Sequence, residues 1–571
     1  SIMRIKHFFG LAVIAAMTAS CSSNNDLVNG GNGSGENETG VGYATLSINL
    51  PTTSGTRAAD DPTFDSGTAD EYDVKDVTLL IFKKAGTSEG EYTYVETADL
   101  GTMAPWIKDN DNNGITTAAT ITAKLSSVDL NGDYYALAIL NNKVNTTDLK
   151  VKMPNTNQTY SEWNSTTTDD TKFANTTNGF YMANAPQFST GTPTTLVKIE
   201  KIYATKQAAE TSKATTIHVE RGLAKVTVAS LPTGLTPPAS TKYSNDKVDI
   251  TAWNLDVTNK STFPIHSLTD LTTNFTTIWS ASTDPAPSTG RFVDGSNTAF
   301  KRVYWGVDPN YSTDYATVEA CQGAFNVLAA NANITGNATT PQYCLENTFD
   351  IDHMKQGQTT RVVFKAKYTP KDFADNETFY KIGNNTDIWN KTNLEKQIKA
   401  KAQEVLSETD ADKVTVKLDA TENDIAGTAG TKILKEENVL HDGVKVSPTE
   451  INSINEKLGL KAAAGTDPIV GIATYASGES YYIARIKHFG DNLTPWNAGD
   501  DTYDGNNQKW LGRYGVLRNN WYELTVNSVS GPGTPDVPTI KPTDPDDENY
   551  KYISVSVKIL DWAKRSQSVD L

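Results

Sequence analysis

The sequence predicts a mainly β protein, and three observations carry that reading. Apolar and polar residues alternate with period two in many short runs, Asn/Gly/Asp/Pro turn signals separate those runs, and Leu-rich stretches of helical period are scarce. The 571 residues suffice for two to four ordinary domains, each with an ample core. A formal net charge of -17 argues against a nucleic-acid partner and for a solvated surface.

The elements follow in order. From Met3 the chain reads "MRIKHFFGLAVIAAMTASC", a basic start at Arg4 and Lys6, an apolar run from Phe8 to Met17, and small residues before Cys21. The run is too short to span a bilayer. Residues 1–21 therefore read as a lipoprotein signal with Cys21 lipidated, or as an ordinary cleaved signal with an incidental cysteine; Thr18 stands where Leu or Val is commoner. Residues 22–57 hold an Asn/Gly/Ser tether and then "YATLSINLP", in which Ala44, Leu46, Ile48 and Leu50 face one side of a half-buried strand ended by Pro51. After the polar loop containing Arg57, strand-like runs recur as "DVTLLIF", "TAATITAKL", "DYYALAIL" and "GLAKVTVASL". The break "LPTGLTPPAS", from Leu231, divides a first β domain, 58–230, from a second, 231–530.

In the second domain "VDITAWNLDVTN", "RFVDG", "QTTRVVFKAKYT", "PIVGIATYA", "SYYIARIKHF" and "WYELTVNSVS" are strand candidates. One region differs, a helical insertion over about 392–463. Leu394, Ile398, Val405 and Leu406 share one helical face there, with Thr392 as N-cap, and a second short helix has Pro448 in its first turn. Residues 531–548 read as a Pro/Asp-rich linker, which at about 3.1 Å per residue spans ~50 Å. Residues 549–571 carry a last strand, with Ile553, Val555, Val557 and Ile559 alternating.

Motifs that carry chemistry are few. Asp109 to Gly114, "DNDNNG", matches the first half of a calcium loop, but Thr120 stands where a bidentate Glu closes such a site, so a turn is the better reading. His7, His218, His266, His353, His441 and His488 are scattered outside any ligand spacing. There is no GxSxG, no phosphate-binding glycine loop and no cysteine in a catalytic setting. The expectation is no enzyme, no cofactor and no metal. Trp496 offers either a sugar platform or a loop tryptophan packed over the core. Cys321 and Cys344 are candidates for one disulfide in an exported protein, though spacing does not show that their geometry permits it.

The two ends match. Ala44, Leu46, Ile48 and Leu50 have the same alternation as Ile553, Val555, Val557 and Ile559, and between Cys21 and Lys75 the only basic residue is Arg57. A trypsin-like cut after Arg57 removes the first strand with its tether. The vacated groove then fits a neighbour's last strand, a β-augmentation that runs head to tail and need not close.

Several segments resemble one family. The lipoprotein signal, the Arg57 loop, "ERGLAKVTV" from Glu220, "YCLENT" from Tyr343, "YYIARIKHFGD" with "TPWN", "GVLRNNWYELTV" and the final "ISVSVKILDWAKRSQSVDL" are similar to the fimbrillins of Bacteroidales type V pili, most of all the shaft subunit of the short (minor) fimbriae. The resemblance spans essentially the whole chain and is most specific in the last hundred residues; the helical insertion has no aligned counterpart. It implies two tandem β-sandwich-like (transthyretin-like) domains, with the insertion in the second and an exchangeable C-terminal donor strand that includes Trp562. It also implies export as a lipoprotein, cleavage between Arg57 and Ala58 by an arginine-specific protease, and polymerisation by donor-strand exchange into a cell-surface fimbrium. Partners would be further copies of the chain, anchor and tip subunits, and a host or bacterial surface receptor. The alternative is a glycan-binding surface lipoprotein or an adhesive tip subunit.

Overall fold

The strand-like runs of the first half pair into one sheet. This computed structural model describes residues 41–50, 68–100, 118–188, 193–269, 292, 303, 305–465, 467–489, 491, 494–497, 510–547 and 553–561. Strands β1 (Gly42–Asn49), β2 (Val77–Lys83), β3 (Thr93–Thr97), β4 (Ala118–Leu125), β5 (Tyr134–Leu140), β6 (Met182–Asn184) and β7 (Thr215–Arg221) are ordered β3-β2-β5-β6-β7-β1-β4, with Val197–Lys198 pairing β5 off that path. β2 and β5 read as continuous apolar runs because both of their faces are covered; Leu79 to Phe82 and Ala136 to Leu140 are buried.

The chain leaves this sheet without a turn. β7 continues through Gly222 into β8 (Leu223–Val228), and packing changes sides there: Leu223 belongs to the first core, Ala224, Val226 and Val228 to the second. The sequence places the change at Leu231. The difference arises because an extended run crosses between cores with no break in alternation, marked only by Gly222, where a Cβ would meet the Phe173 ring at 2.5 Å. Strands β9 (Lys247–Asp256), β10 (Gln342–Leu345) and β11 (Arg361–Thr369) follow.

The helical insertion is larger than its pattern predicts. Strands β12 (Phe379–Ile382), β13 (Gly430–Lys432) and β14 (Ile472–Tyr475) form a sheet ordered β12-β14-β13. Helices α1 (Lys391–Leu406) and α2 (Pro448–Lys457) close over it. Leu394, Ile398, Ile451 and Ile454 share a separate core with Tyr380, Ile382 and Ile472. Helix α1 starts ahead of the expected cap: the Asn390 side chain, not that of Thr392, accepts from the Asn393 N–H at 2.9 Å. At α2 Pro448 does take the first turn, and Ser447 and Glu450 form a capping box.

β15 (Glu479–Arg485), β16 (Asn520–Val529) and β17 (Ile553–Asp561) complete the second core. One sheet is ordered β10-β8-β16-β17, the other β9-β11-β15. Val226 and Leu524 from the first and Trp253, Phe364 and Tyr482 from the second share one buried cluster, so the two sheets pack as a sandwich.

The segment read as a linker is folded. The Tyr482 and Tyr475 hydroxyls donate to the carbonyls of Gly531 and Gly533, and Thr534 pairs with Tyr481 through two backbone bonds of 2.9 Å. A Cβ on Gly533 would strike the Tyr481 carbonyl at 2.1 Å, so only glycine permits this approach. Val537 and Ile540 are buried, and Asp546 forms a buried ion pair with Arg485 at 3.1 Å. Asp547 accepts from Arg513 at 2.9 Å and from the Tyr514 hydroxyl at 2.7 Å. Residues 531–547 are thus a strap that adds partners to buried arginines of the sandwich, the Pro538 carbonyl to Arg361, Asp546 to Arg485 and Asp547 to Arg513.

Burial raises the Asp546 carboxyl to about 7 against the opposing pull of Arg485 and of the Thr359 hydroxyl. A carboxyl that binds its proton more tightly folded than unfolded contributes stability at low pH and loses it as pH rises, here between about 4 and 7. Thermal melting of the full chain across pH 4–8 should therefore show a falling contribution in that window, and Asp546→Asn should flatten it. An unchanged slope in the variant would assign the effect to other groups.

Candidate strand-exchange site

The first strand occupies an interior slot. β1 runs antiparallel to β4 from Gly42↔Leu125 to Asn49↔Ala118, and parallel to β7 from Leu46↔Thr215 to Asn49↔His218. Ala44, Leu46, Ile48 and Leu50 are all at most 3% exposed and enter the first core. The Thr45 hydroxyl donates to the Ala209 carbonyl at 2.8 Å and lies 2.9 Å from the Thr122 hydroxyl, and Tyr43 exchanges two backbone bonds with Tyr203. Burying the three larger side chains stabilises the strand by about 1.5–3 kcal/mol each. Each ladder bond adds about 1 kcal/mol net. Without β1, the edges of β4 and β7 would both lie open over an apolar floor.

On the far side of the Arg57 loop the chain is fastened independently. In the short helix Ala69–Tyr72, Glu71 pairs with Lys225 of β8 at 2.9 Å and accepts from the Tyr343 hydroxyl of β10 at 2.5 Å. Burial works to raise this carboxyl, but Lys225 and Tyr343 outweigh it and hold it below the usual carboxylate range. Arg221 donates to the Glu71 carbonyl at 3.0 Å and lies over the Tyr72 ring. A break in the loop would leave the body held by these contacts and β1 held only by its own. Cys21, Arg57 and Ala58 lie outside the described residues.

The last strand pairs at home, on one side. β17 is an edge strand antiparallel to β16, from Asn520↔Asp561 to Val529↔Ile553 with one irregularity between Val526 and Ser528. Ile553, Val555, Val557 and Ile559 lie on it at alternate positions; Val555 is 1% exposed in the second core, and Trp562 lies outside the described residues. The two candidate strands therefore sit in different sheets, one in an interior slot and one on an edge.

Other expected sites resolve simply. Cys321 and Cys344 are free thiols buried in separate clusters, so the candidate disulfide is not formed. Burial pushes the Cys321 thiol up to about 11 and the Cys344 thiol up to about 12, which disfavours the thiolate at both. Trp496 packs against the cluster of Trp305, Phe489 and Trp510, with the Arg513 guanidinium 6.0 Å from its ring. The DNDNNG turn at 109–114 lies outside the described residues. Among the described residues no three His, Cys, Asp or Glu side chains gather as a metal site. Sequence reasoning missed the Glu71 clamp. Its one signal was charge inside a strand pattern, Arg221 and Lys225 within "ERGLAKVTV".

Residues 473–568 match the family described as major fimbrial subunit protein type IV, fimbrillin, C-terminal. That span takes in β15, β16 and β17, so the C-terminal part of the chain is fimbrillin-like. No curated protein matches the chain. Among solved structures, it is similar to a Parabacteroides distasonis protein assigned to cell adhesion, with 12% identity, 91% of this chain and 100% of that one covered, and a TM-score of 0.35. A fimbrial assembly protein of Parabacteroides distasonis also shares 12% identity, over 61% of this chain and 94% of its own, with a TM-score of 0.26.

Proposed function

We propose that the chain is a structural subunit of a cell-surface fimbria, assembled by donor-strand exchange and serving adhesion and biofilm. In this reading it is exported as a lipoprotein through Cys21 and cut after Arg57, whereupon β1 leaves. The arm from residue 549 to Leu571 of the next copy then takes the slot between β4 and β7. Having both a cleavable leading strand and a spare trailing one favours a shaft subunit, of the short-fimbria type, over an anchor or a tip.

The observation that carries the proposal is the difference in pairing between the two strands. At home β17 has one ladder partner, β16, whereas β1 has two, β4 and β7. An arm that moves from its own edge into a neighbour's vacated slot exchanges one ladder for two and fills an apolar groove. Exchange is thus downhill once the slot is empty, and blocked while β1 fills it. The fimbrillin match over 473–568 supports the same assignment for the arm. The direct test is the N-terminal residue of protein sheared from cells: Ala58 in SDS-resistant multimers is expected, and fibres that retain residues 43–50 would refute the scheme.

A further inference from the structure

A second binding feature lies where the insertion meets the sandwich. A cavity of about 590 Å³ opens there, within the ~300–1,000 Å³ range of small-molecule sites. Three pieces of chain build it: the loop ahead of β9, the turn after β11, and the approach to α1 with that helix's first turns. Tyr243, Phe373 and Trp389 give it aromatic walls. Asn393, Lys396 and Gln397, spaced i, i+3, i+4, present one stripe of α1 to it, beside the Leu394/Ile398 stripe that packs inward.

The polar groups divide into committed and uncommitted. Lys242 is neutralised by Asp387 at 2.6 Å, and Asp246 accepts from the Tyr368 hydroxyl and the Lys371 backbone N–H. The ammoniums of Lys371 and Lys396 and the carboxamides of Asn393 and Gln397 make no hydrogen bond or ion pair with a described residue. The buried indole N–H of Trp389 likewise has no acceptor among the described residues.

We propose that this cavity binds an acidic saccharide, one carrying a hexuronate or sialate carboxylate. The aromatic side chains of the lining offer apolar contact to a pyranose, and carboxamides, each both donor and acceptor, match hydroxyls of the same dual character. The two ammoniums unpaired among the described residues outnumber the one lining carboxylate, Asp246, that has no cationic partner there, and this positive excess on a chain of net charge -17 favours a carboxylate ligand. No arginine fork lines the cavity, as recognition of a phosphate-rich ligand would favour. The site is separate from the β1 slot and stands or falls independently of strand exchange.

The test is calorimetric titration of the full chain with sialyllactose and with a glucuronate disaccharide, using lactose and inorganic sulfate as controls. At least one acidic probe is expected to bind at least 10-fold more tightly than lactose. The double variant Lys371→Ala/Lys396→Ala, altered at exposed positions and verified as folded by its melting curve, is expected to lose at least 10-fold. Any of four results would overturn the proposal: neither acidic probe binds, lactose binds as well, sulfate displaces the saccharide at equal concentration, or the double variant binds like the parent.

Discussion

Arg57→Ala leaves the precursor monomeric. With the loop intact, β1 competes for its slot as a covalently attached segment, at the millimolar effective concentration of a short flexible tether. An incoming arm from another copy is present only at the protein concentration. At micromolar protein the attached strand is favoured by roughly a thousandfold before any difference in contacts. Gel electrophoresis without heating and electron microscopy of protease-treated protein should show ladders and fibres from the parent and at least a 100-fold loss from the variant. Arg57→Lys treated with a lysine-specific protease supplies the control, because no lysine occurs between Cys21 and Lys75. That treatment should restore assembly, and undiminished polymer from Arg57→Ala would remove the basis of the scheme.

Truncation after Asp547 gives a subunit that accepts an arm but has none to give. The cut is placed there because Asp547 is fastened to Arg513 and Tyr514, so the body keeps its strap and loses only the arm. Alone, after cleavage at Arg57, this variant should yield no multimers. Mixed with the parent it should cap growing ends, so that mean fibre length falls in proportion to its mole fraction. Its thermal stability should also fall, since the β16 edge is opened and the packing of Val555, worth about 1.5–3 kcal/mol, is lost. Fibres of parental length in an equimolar mixture would exclude the arm as the linking element.

How far the sequence reveals these features depends on where their partners lie. The inward face of β1 was legible at Ala44, Leu46, Ile48 and Leu50 because alternation is a local property. Its position between β4 and β7, and its parallel pairing to β7, was not, since no local pattern names a neighbour. The strap is the clearest failure. Its Pro/Asp composition reads as solvated linker, yet Asp546 and Asp547 answer Arg485 and Arg513, which lie on the other side of β16 in the sequence. The crossing at Gly222 escaped for the opposite reason: a run that stays extended through two cores carries no turn signal. In the insertion, α1 and α2 were visible by period, while β13 has too few residues to show any.

The anchoring of the strap has a mechanical consequence. Between Asp547 and β17 lie residues 548–552, whose contour at ~3.4 Å per residue is roughly 17 Å. In a fibre linked by this arm, consecutive subunits would be joined through no more than that contour. Tension along it would arrive first at the carboxylate–guanidinium pairs of Asp546 and Asp547, which would act as the cleats that keep a tug on the arm from peeling the sandwich open.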